Sequence, residues 1–294
     1  MVRGAGLDPI TPLAQLITYT PYVAVASIVP LGLALVLRRW REAAVAVLVV
    51  AAFGVFMVPR AVPASGDPSR HADTIVVLSV NVLGGGADTD RIMALIRREH
   101  PDLVSIQELT DDAVARLDAA GIGRELPHRA LRPRPGVSGT GLYSTFPLVE
   151  GRGLDEESTF DMARATMRTE RGEIDVVAVH TSPPMPGAAT SRWRRDFTLL
   201  PEADRDGPLR ILAGDFNASL DHSPLRKLIG SGYLDAGDAA GAGLVPTWPN
   251  GHALPPVTID HVLVDGRAGV GQVKVFDVPG SDHRAMVAHL RMPA

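Results

Sequence analysis

Residues 209–217 read Leu-Arg-Ile-Leu-Ala-Gly-Asp-Phe-Asn, a short aliphatic run that ends in polar side chains able to do chemistry. The part Leu209–Ala213 has the length and composition of a buried strand. Asp215 and Asn217 follow it directly, where a strand gives way to a loop. Functional side chains of layered α/β proteins collect at such strand ends, because the sheet is rigid and the loops give access. The stretch therefore predicts an α/β fold with a site at its strand ends.

The same arrangement recurs along the chain. Further strands are predicted over residues 74–80, 103–106, 141–145, 163–169, 174–180, 258–264, 272–276 and 285–290, and helices over 190–200 and 224–229. Asp88 or Asp90 is expected to cap a helix after the first of these strands. Polar side chains stand at the strand ends: Asn81, Glu108, His180, Asp215, Asn217, Asp260, His261, Asp282 and His283. Many strands with few helices between them predict sheets that are faced by helices.

Oxygen ligands dominate this set of strand-end residues. Carboxylate and amide oxygens suit Mg²⁺ or Mn²⁺, whereas zinc prefers more nitrogen or sulfur. Each residue taken alone has an ordinary structural interpretation, since an aspartate at a strand end commonly caps a turn. Their recurrence at several strand ends favours a functional site.

The composition excludes several classes of protein. There are 29 basic and 33 acidic residues, and the formal charge of −4 argues against a protein that grips nucleic acid through bulk charge. A hydrophobic content of 46% excludes wholesale disorder. The chain has no cysteine, which excludes disulfide scaffolds, zinc–thiolate sites, iron–sulfur clusters and cysteine nucleophiles.

Two uncharged stretches, residues 13–37 and 43–58, predict membrane-spanning helices. They are apolar all round rather than along one stripe. Trp40 and Pro59 flank the second stretch, and Arg41 and Arg60 are expected to reach the lipid headgroups. Two alternatives stay open: a buried helical hairpin of a soluble domain, and a signal peptide cleaved near residues 62–64.

The loop of residues 38–42 holds three arginines, which the positive-inside rule places in the cytoplasm. A multi-pass protein of the cell membrane is therefore predicted, with both termini and the catalytic part on the extracytoplasmic side. We expect a two-helix transmembrane anchor over residues 1–60, a linker over 61–72 and a catalytic domain over 73–294. Residues 1–60 hold five arginines and two acidic residues, so the remainder carries a charge of −7.

Several motifs together resemble the endonuclease/exonuclease/phosphatase family, which includes DNase I-like nucleases, sphingomyelinases and inositol polyphosphate phosphatases. The motifs are Asn81, Gln107-Glu108, His180-Thr181-Ser182-Pro183, Gly214-Asp215-Phe216-Asn217, Ile259-Asp260-His261 and Ser281-Asp282-His283. The resemblance runs from about Thr74 to Leu290 and implies a four-layer α/β sandwich (DNase I-like). In that fold, two sheets pack face to face with helices outside.

The resemblance also implies a magnesium-dependent phosphoesterase, with Mn²⁺ as the alternative ion. Glu108 is then the principal metal ligand, helped by Asn81 and Asp282. The enzyme is expected to hydrolyse a phosphate mono- or diester by metal-assisted in-line attack of water.

Five further residues receive catalytic roles from the resemblance. Asp215 orients or deprotonates the attacking water, and Asn217 holds Asp215 and a phosphate oxygen. His283 contacts the phosphoryl group, and Asp260 fixes its tautomer and charge. His180 donates to a non-bridging oxygen. One or two cationic imidazoles are expected, because a carboxylate partner favours the charged form of histidine.

The substrate is expected to be a phospholipid or a polyprenyl (pyro)phosphate. The charge of −7 disfavours DNA, as does Leu83, where many DNA-repair members carry a polar residue. The architecture resembles membrane-anchored bacterial members thought to act on lipid-linked phosphates.

Trp193 and Trp248 are candidates to border an entrance for a lipid chain, with core packing as the alternative. Arginine clusters at 129–134 and 192–195 suit any anionic substrate. An extracytoplasmic endo- or exonuclease and an inactive binding module remain the alternatives, and the sequence leaves the oligomeric state open.

Overall fold

The fold begins with two long apolar helical segments. The computed structural model describes residues 12–64, 71–154, 158–251 and 255–293. The first segment consists of α1 (Leu13–Leu16), a 3₁₀ turn (Ile17–Tyr19), α2 (Thr20–Ala26) and α3 (Ile28–Val36). The second consists of α4 (Trp40–Met57) and a 3₁₀ turn (Val58–Ala61). These two segments, called the hairpin below, are long and apolar enough to be candidate membrane spans, and only 6% of each is buried.

The rest of the described chain holds twelve strands and six helices. The strands are β1 (His71–Asn81), β2 (Leu103–Gln107), β3 (His128–Arg132), β4 (Thr140–Ser144), β5 (Leu148–Glu150), β6 (Arg164–Thr169), β7 (Gly172–His180), β8 (Leu209–Asp215), β9 (Tyr233–Asp235), β10 (Asp260–Asp265), β11 (Gly269–Asp277) and β12 (Arg284–Pro293). The helices are α5 (Thr89–Glu99), α6 (Asp111–Ala119), α7 (Ile122–Glu125), α8 (Ala188–Leu199), α9 (Ser223–Gly230) and α10 (Ala236–Ala239). Asp88 caps α5 by accepting a hydrogen bond from the Arg91 N–H, as the sequence predicts.

These strands form two six-stranded sheets of similar design. The order is β11-β12-β1-β2-β4-β3 in the first sheet and β5-β6-β7-β8-β10-β9 in the second. Each sheet contains one parallel pair, β1 with β2 and β7 with β8, and its other pairs are antiparallel. Strands of a parallel pair end at the same edge of the sheet. Each sheet therefore brings two carboxyl ends together at its centre.

The two sheets and their helices make four layers. One apolar cluster lies between the sheets and includes Val77 and Leu103 from the first and Val176 and Ile211 from the second. A second cluster packs α5, α6 and α7 on the outer face of the first sheet. A third packs α8 and α9 on the outer face of the second sheet. The predicted four-layer α/β sandwich, preceded by two apolar helices, is confirmed.

The hairpin is attached to the sandwich at both of its ends. His222 Nε2 lies 2.7 Å from the carbonyl oxygen of Ala14 at the start of the first segment. At the end of the second segment, the Arg60 guanidinium makes a bidentate ion pair with Asp221, with N–O distances of 2.7 and 2.9 Å. Both side chains of this pair are buried. The two ends of the hairpin therefore both lie against the sandwich.

Several expectations need correction. Arg60 does not reach outward, because it is buried in its ion pair with Asp221. The buried-hairpin alternative is wrong, because the hairpin exposes most of its apolar surface.

The expected linker ends earlier than residue 72, since β1 begins at His71. Residues 65–70 of that linker and residues 1–11 of the expected anchor lie outside the described residues. Three short strands, β3, β5 and β9, were not predicted.

Gly214 allows β7 and β8 to approach each other next to the site. It has φ +154°, and a Cβ built there would lie 1.9 Å from the Val179 carbonyl oxygen. We expect Gly214→Ala to destabilise the fold by about 3 kcal/mol or more, because backbone atoms must move. The matched control is Gly230→Ala, at an exposed helical position with open space around it. It should be neutral or stabilising by about 0.5–1 kcal/mol. Thermal unfolding of the full chain in mild detergent measures both, and equal midpoints would contradict the expectation.

Candidate active site

The carboxyl ends of the two parallel pairs bring the polar strand-end residues together. Asn81 ends β1 opposite Gln107, and Glu108 follows directly. His180 ends β7 opposite Asp215, which ends β8. Asp260 begins β10 and pairs with Asp215 from the other side. Neighbouring strands lie about 4.8 Å apart, so the register brings these side chains together within each sheet. Packing of the two sheets then joins the two groups, with Asn81 Nδ2 3.3 Å from Asp215 Oδ2.

Two hydrogen bonds fix the position of the Glu108 carboxylate. Its Oε2 accepts a hydrogen bond from the Gly84 N–H at 2.7 Å, and its Oε1 accepts one from Asn81 Nδ2 at 3.1 Å. The residue adopts a left-handed backbone conformation with φ +58°, a conformation that is uncommon outside glycine and is often found at functional sites. Burial raises the pKa of Glu108, although its hydrogen bonds oppose this shift. The carboxylate is therefore oriented by backbone and side-chain donors.

Asp215 lies at the centre of the cluster. Its Oδ1 accepts a hydrogen bond from the Asn217 N–H at 2.8 Å. Its Oδ2 accepts from Asn217 Nδ2 and from Asn81 Nδ2, both at 3.3 Å. Burial raises the pKa of Asp215 to about 7, with Asp260 and Glu108 adding to the shift and His283 opposing it. A carboxylate with a pKa near neutral is well matched to accept a proton from water.

His283 lies between two carboxylates. Its Nδ1 is 2.9 Å from Asp260 Oδ2, and its Nε2 is 3.6 Å from Asp215 Oδ2. The backbone N–H of His283 donates to Ser281 Oγ at 3.0 Å. Burial alone would lower the pKa of His283, but Asp260 and Asp215 outweigh it and raise that pKa to about 10. His283 is therefore a buried imidazolium whose Nε2 side faces the cluster.

His180 lies beside the same carboxylates but differs in charge. Its Nε2 is 3.8 Å from Asp215 Oδ2 and 4.0 Å from Glu108 Oε1. Burial, and then the neighbouring His283, lower the pKa of His180 to about 3. Phe160 stacks on its ring with centroids 4.5 Å apart. Of the one or two cationic imidazoles expected, the site therefore holds one, and His180 is a neutral donor.

One carboxylate oxygen of Asp282 makes no hydrogen bond among the described residues, so it could bind a cation. Its Oδ2 accepts a hydrogen bond from Trp248 Nε1 at 3.1 Å, while its Oδ1 is buried and has no hydrogen-bond partner among the described residues. Asp282 also contributes to the raised pKa of Glu108, so the two carboxylates interact. Such oxygen donors fit a hard divalent cation. A second arrangement also fits one, since Asp215, Asp260 and His283 place ligand atoms within 4.8 Å of one another.

The structure thus brings together the eight residues that received a metal-binding or catalytic role. His261, the ninth strand-end residue, faces Asp235 instead, with its Nδ1 2.7 Å from Asp235 Oδ2. The side chains that orient them were largely missed. The Thr247 hydroxyl accepts from the Asp260 N–H at 3.1 Å, and Phe160 supports His180. Trp193 is wrong as an entrance residue, because its side chain is fully buried in the outer core. Trp248 lies at the site and is half-buried. No sequence signal marked Phe160, which follows no predicted strand.

Comparison with known proteins agrees with this geometry. A profile of the Endonuclease/Exonuclease/phosphatase family matches residues 78–283. The chain belongs to this family. Its members are phosphoesterase hydrolases, and this chain is accordingly an enzyme that acts on phosphate esters. A search of curated protein sequences finds no match.

Solved structures share the fold. An endonuclease/exonuclease/phosphatase from Beutenbergia cavernae DSM 12333 matches with a TM-score of 0.60 and 20% identity, over 76% of this chain and 72% of that one. Humanized D. rerio TDP2 matches with a TM-score of 0.61 and 15% identity, over 75% and 100%. Sphingomyelinase C from Streptomyces griseocarneus matches with a TM-score of 0.52 and 16% identity, over 74% and 99%.

A metal titration separates the two arrangements that fit a cation. We expect Glu108→Gln to weaken Mn²⁺ binding by about tenfold or more, because it removes a charged ligand. Asp260→Asn should retain binding, since Asp260 is engaged by His283. Water-proton relaxation of the full chain in detergent measures the affinity without any turnover. Glu173→Gln, at an exposed position paired with Arg168, is the control. Loss of binding in Asp260→Asn but not in Glu108→Gln would place the cation at the other arrangement.

Proposed function

We propose that the protein is a membrane-anchored, Mg²⁺-dependent phosphoesterase that hydrolyses a lipid-borne phosphate mono- or diester by in-line attack of water. The substrate class is a phospholipid or a polyprenyl (pyro)phosphate. The observation that carries the proposal is the row Asp260–His283–Asp215, in which a buried imidazolium lies beside a carboxylate of near-neutral pKa. This row pairs an acceptor for a water proton with a positive charge for phosphate oxygens.

The residues of the site divide the reaction between them. Asp215 orients water and accepts its proton, and Asn217 keeps that carboxylate in place through two hydrogen bonds. His283, held by Asp260, stabilises negative charge on the phosphoryl oxygens through its Nε2 side. His180 donates a neutral N–H to a non-bridging oxygen. No side-chain nucleophile is needed, so water attacks phosphorus directly.

Glu108, Asp282 and Asn81 are the residues we assign to the cation. Bound there, Mg²⁺ would neutralise a phosphate oxygen and the charge that develops in the transition state. The unpartnered Oδ1 of Asp282 and the fixed carboxylate of Glu108 support this assignment. Asn81 Nδ2 is occupied with Glu108 and Asp215, which leaves its Oδ1 as the atom to face a cation. That oxygen accepts from the Leu83 N–H at 3.0 Å and has a second lone pair.

The hairpin supports a membrane location and a lipid substrate. Its apolar side chains are exposed, as with Val29 at 71% and Leu48 at 71%, and a bilayer would cover them. The three arginines at residues 38–41 favour a cytoplasmic loop and an extracytoplasmic catalytic domain. The sphingomyelinase among the structural neighbours supports a lipid phosphodiester as the substrate.

An extracytoplasmic nuclease is the second candidate. It is favoured by a neighbouring D. rerio TDP2 structure described as complexed with a single-strand DNA product. The charge of −7 on residues 61–294 opposes it, because surfaces that bind DNA are strongly basic. An inactive binding module is disfavoured, since loss of activity would leave gaps in the set of eight site residues.

A panel of substrates tests the proposal. The full chain in nanodiscs with Mg²⁺ is offered sphingomyelin, undecaprenyl pyrophosphate, plasmid DNA and bis-p-nitrophenyl phosphate. We expect turnover of a lipid substrate and little plasmid nicking. His283→Ala should lower the rate by about 10²–10⁴-fold, because the cation facing the phosphate is lost.

Efficient plasmid nicking without lipid turnover would favour the nuclease. Absence of hydrolysis on all four substrates would favour the binding module. A His283→Ala rate equal to that of the wild type would show that contaminating activity or another site is responsible.

A further inference from the structure

The hairpin contacts two loops of the catalytic domain that carry catalytic residues at their ends. The side-chain amide of Gln15 donates to the Pro184 carbonyl, and the Tyr22 hydroxyl donates to the Pro256 carbonyl at 2.7 Å. Pro184 lies in the loop that follows His180, and Pro256 lies in the loop that precedes Asp260. The membrane-spanning candidate therefore contacts the two loops that lead from the catalytic residues.

The free part of the hairpin is too short to cross a bilayer by itself. Residues up to Tyr22 contact the domain, so the freely exposed arms are Val23–Val36 and Trp40–Phe56. At 1.5 Å per residue these arms span about 21 and 25 Å, whereas a hydrocarbon core is about 30 Å thick. This mismatch has a free-energy cost, which is reduced if the membrane also covers apolar side chains of the docked part. Leu16 and Val58, each 60% exposed, lie there. The domain surface at this junction is thereby drawn to the boundary of the hydrocarbon.

Exposed apolar side chains of the catalytic domain gather around the site. Beyond residue 61, the described residues include eight large apolar side chains that are exposed, and five of them lie in loops next to site residues. These five, called the apolar rim, are Leu83, Val137, Met185, Leu244 and Val245. Apolar surface on a soluble protein is usually scattered, and a cluster marks a contact surface. Met185 directly follows the hairpin contact at Pro184, and Leu244 lines a cavity together with Tyr22 and Arg60.

A basic helix continues this surface. Arg192, Arg194 and Arg195 on α8 are exposed, and none makes an ion pair within the part of the chain that the structure describes. Trp193, between them, packs its ring 5.1 Å from that of His222, which contacts Ala14 of the hairpin. Helix α8 thus packs beside the junction through its buried face, and the three arginines occupy exposed positions of the same helix. Apolar side chains flanked by arginines match the boundary between acyl chains and anionic headgroups.

We propose that the apolar rim and the arginines of α8 form a membrane-contact surface that places the mouth of the active site in the headgroup layer of the bilayer that the hairpin spans. The partner is a bilayer containing anionic phospholipid. A lipid phosphate then reaches Asp215 and His283 while its acyl chains stay in the membrane. The inference rests on the proposed function for its substrate, but the contact surface is testable by itself.

The absence of cysteine makes a direct test possible. Met185→Cys and Val245→Cys are each labelled with a polarity-sensitive fluorophore in the full chain, in nanodiscs of phosphatidylglycerol and phosphatidylcholine. Val149→Cys, with 42% exposure at the sheet edge, is the aqueous control, and Val29→Cys is the control within the hairpin. We expect labels at 185 and 245 to be blue-shifted relative to 149. They should also be protected from iodide and quenched by lipids that carry a shallow spin label.

Labels at 185 and 245 that are as accessible to iodide as the label at 149 would overturn the proposal. If such a protein still hydrolysed lipid, the proposed function would stand without the contact surface. Inserted labels without hydrolysis of any lipid would support the surface and contradict the lipid substrate. A label at 29 that is accessible to iodide would overturn the membrane anchor and the contact surface together.

Discussion

Compensation of buried negative charge is the constraint on which the site depends. Glu108, Asp215 and Asp260 are all buried, Asp282 lies beside them, and His283 faces them as a protonated imidazole. Uncompensated buried charge is expensive, and the raised pKa values of Glu108 and Asp215 reflect that cost. One imidazolium does not balance four carboxyl groups. A divalent cation bound to these oxygen atoms would supply the missing positive charge, and together with His283 it would stabilise the negative charge of a reacting phosphoryl group.

The topology explains how residues far apart in the sequence reach one point. A parallel pair at the centre of each sheet directs two carboxyl ends to one edge, and face-to-face packing of the sheets brings the two edges together. Gly214 permits the close approach of β7 and β8. The left-handed backbone at Glu108 and at Asn217 then turns each side chain from its strand end toward the cluster. Strain of this kind persists only where the surrounding structure enforces it.

Much of this was predictable from the sequence, and the remainder depends on packing. The central strands were predictable because both of their faces are buried, so that β7 and β8 appear as apolar runs. The edge strand β3, His128–Arg132, was missed because it is short and largely polar, and only its pairing with β4 stabilises it. The site residues were predictable because they interrupt apolar runs. The neutral state of His180 was not, because it depends on complete burial and on the charge of His283. The burial of Arg60 depends on Asp221, a residue 161 positions away.

The central claim is that Asp215 delivers water to phosphorus beside the His283 cation. The most direct test is hydrolysis of bis-p-nitrophenyl phosphate by the full chain in ¹⁸O-labelled water, analysed by mass spectrometry, for the wild type and for Asp215→Asn. We expect one labelled oxygen in the p-nitrophenyl phosphate, none in the p-nitrophenol, and a rate lower by about 10²-fold or more in Asp215→Asn. Label in the p-nitrophenol, or a wild-type rate in Asp215→Asn, would contradict it.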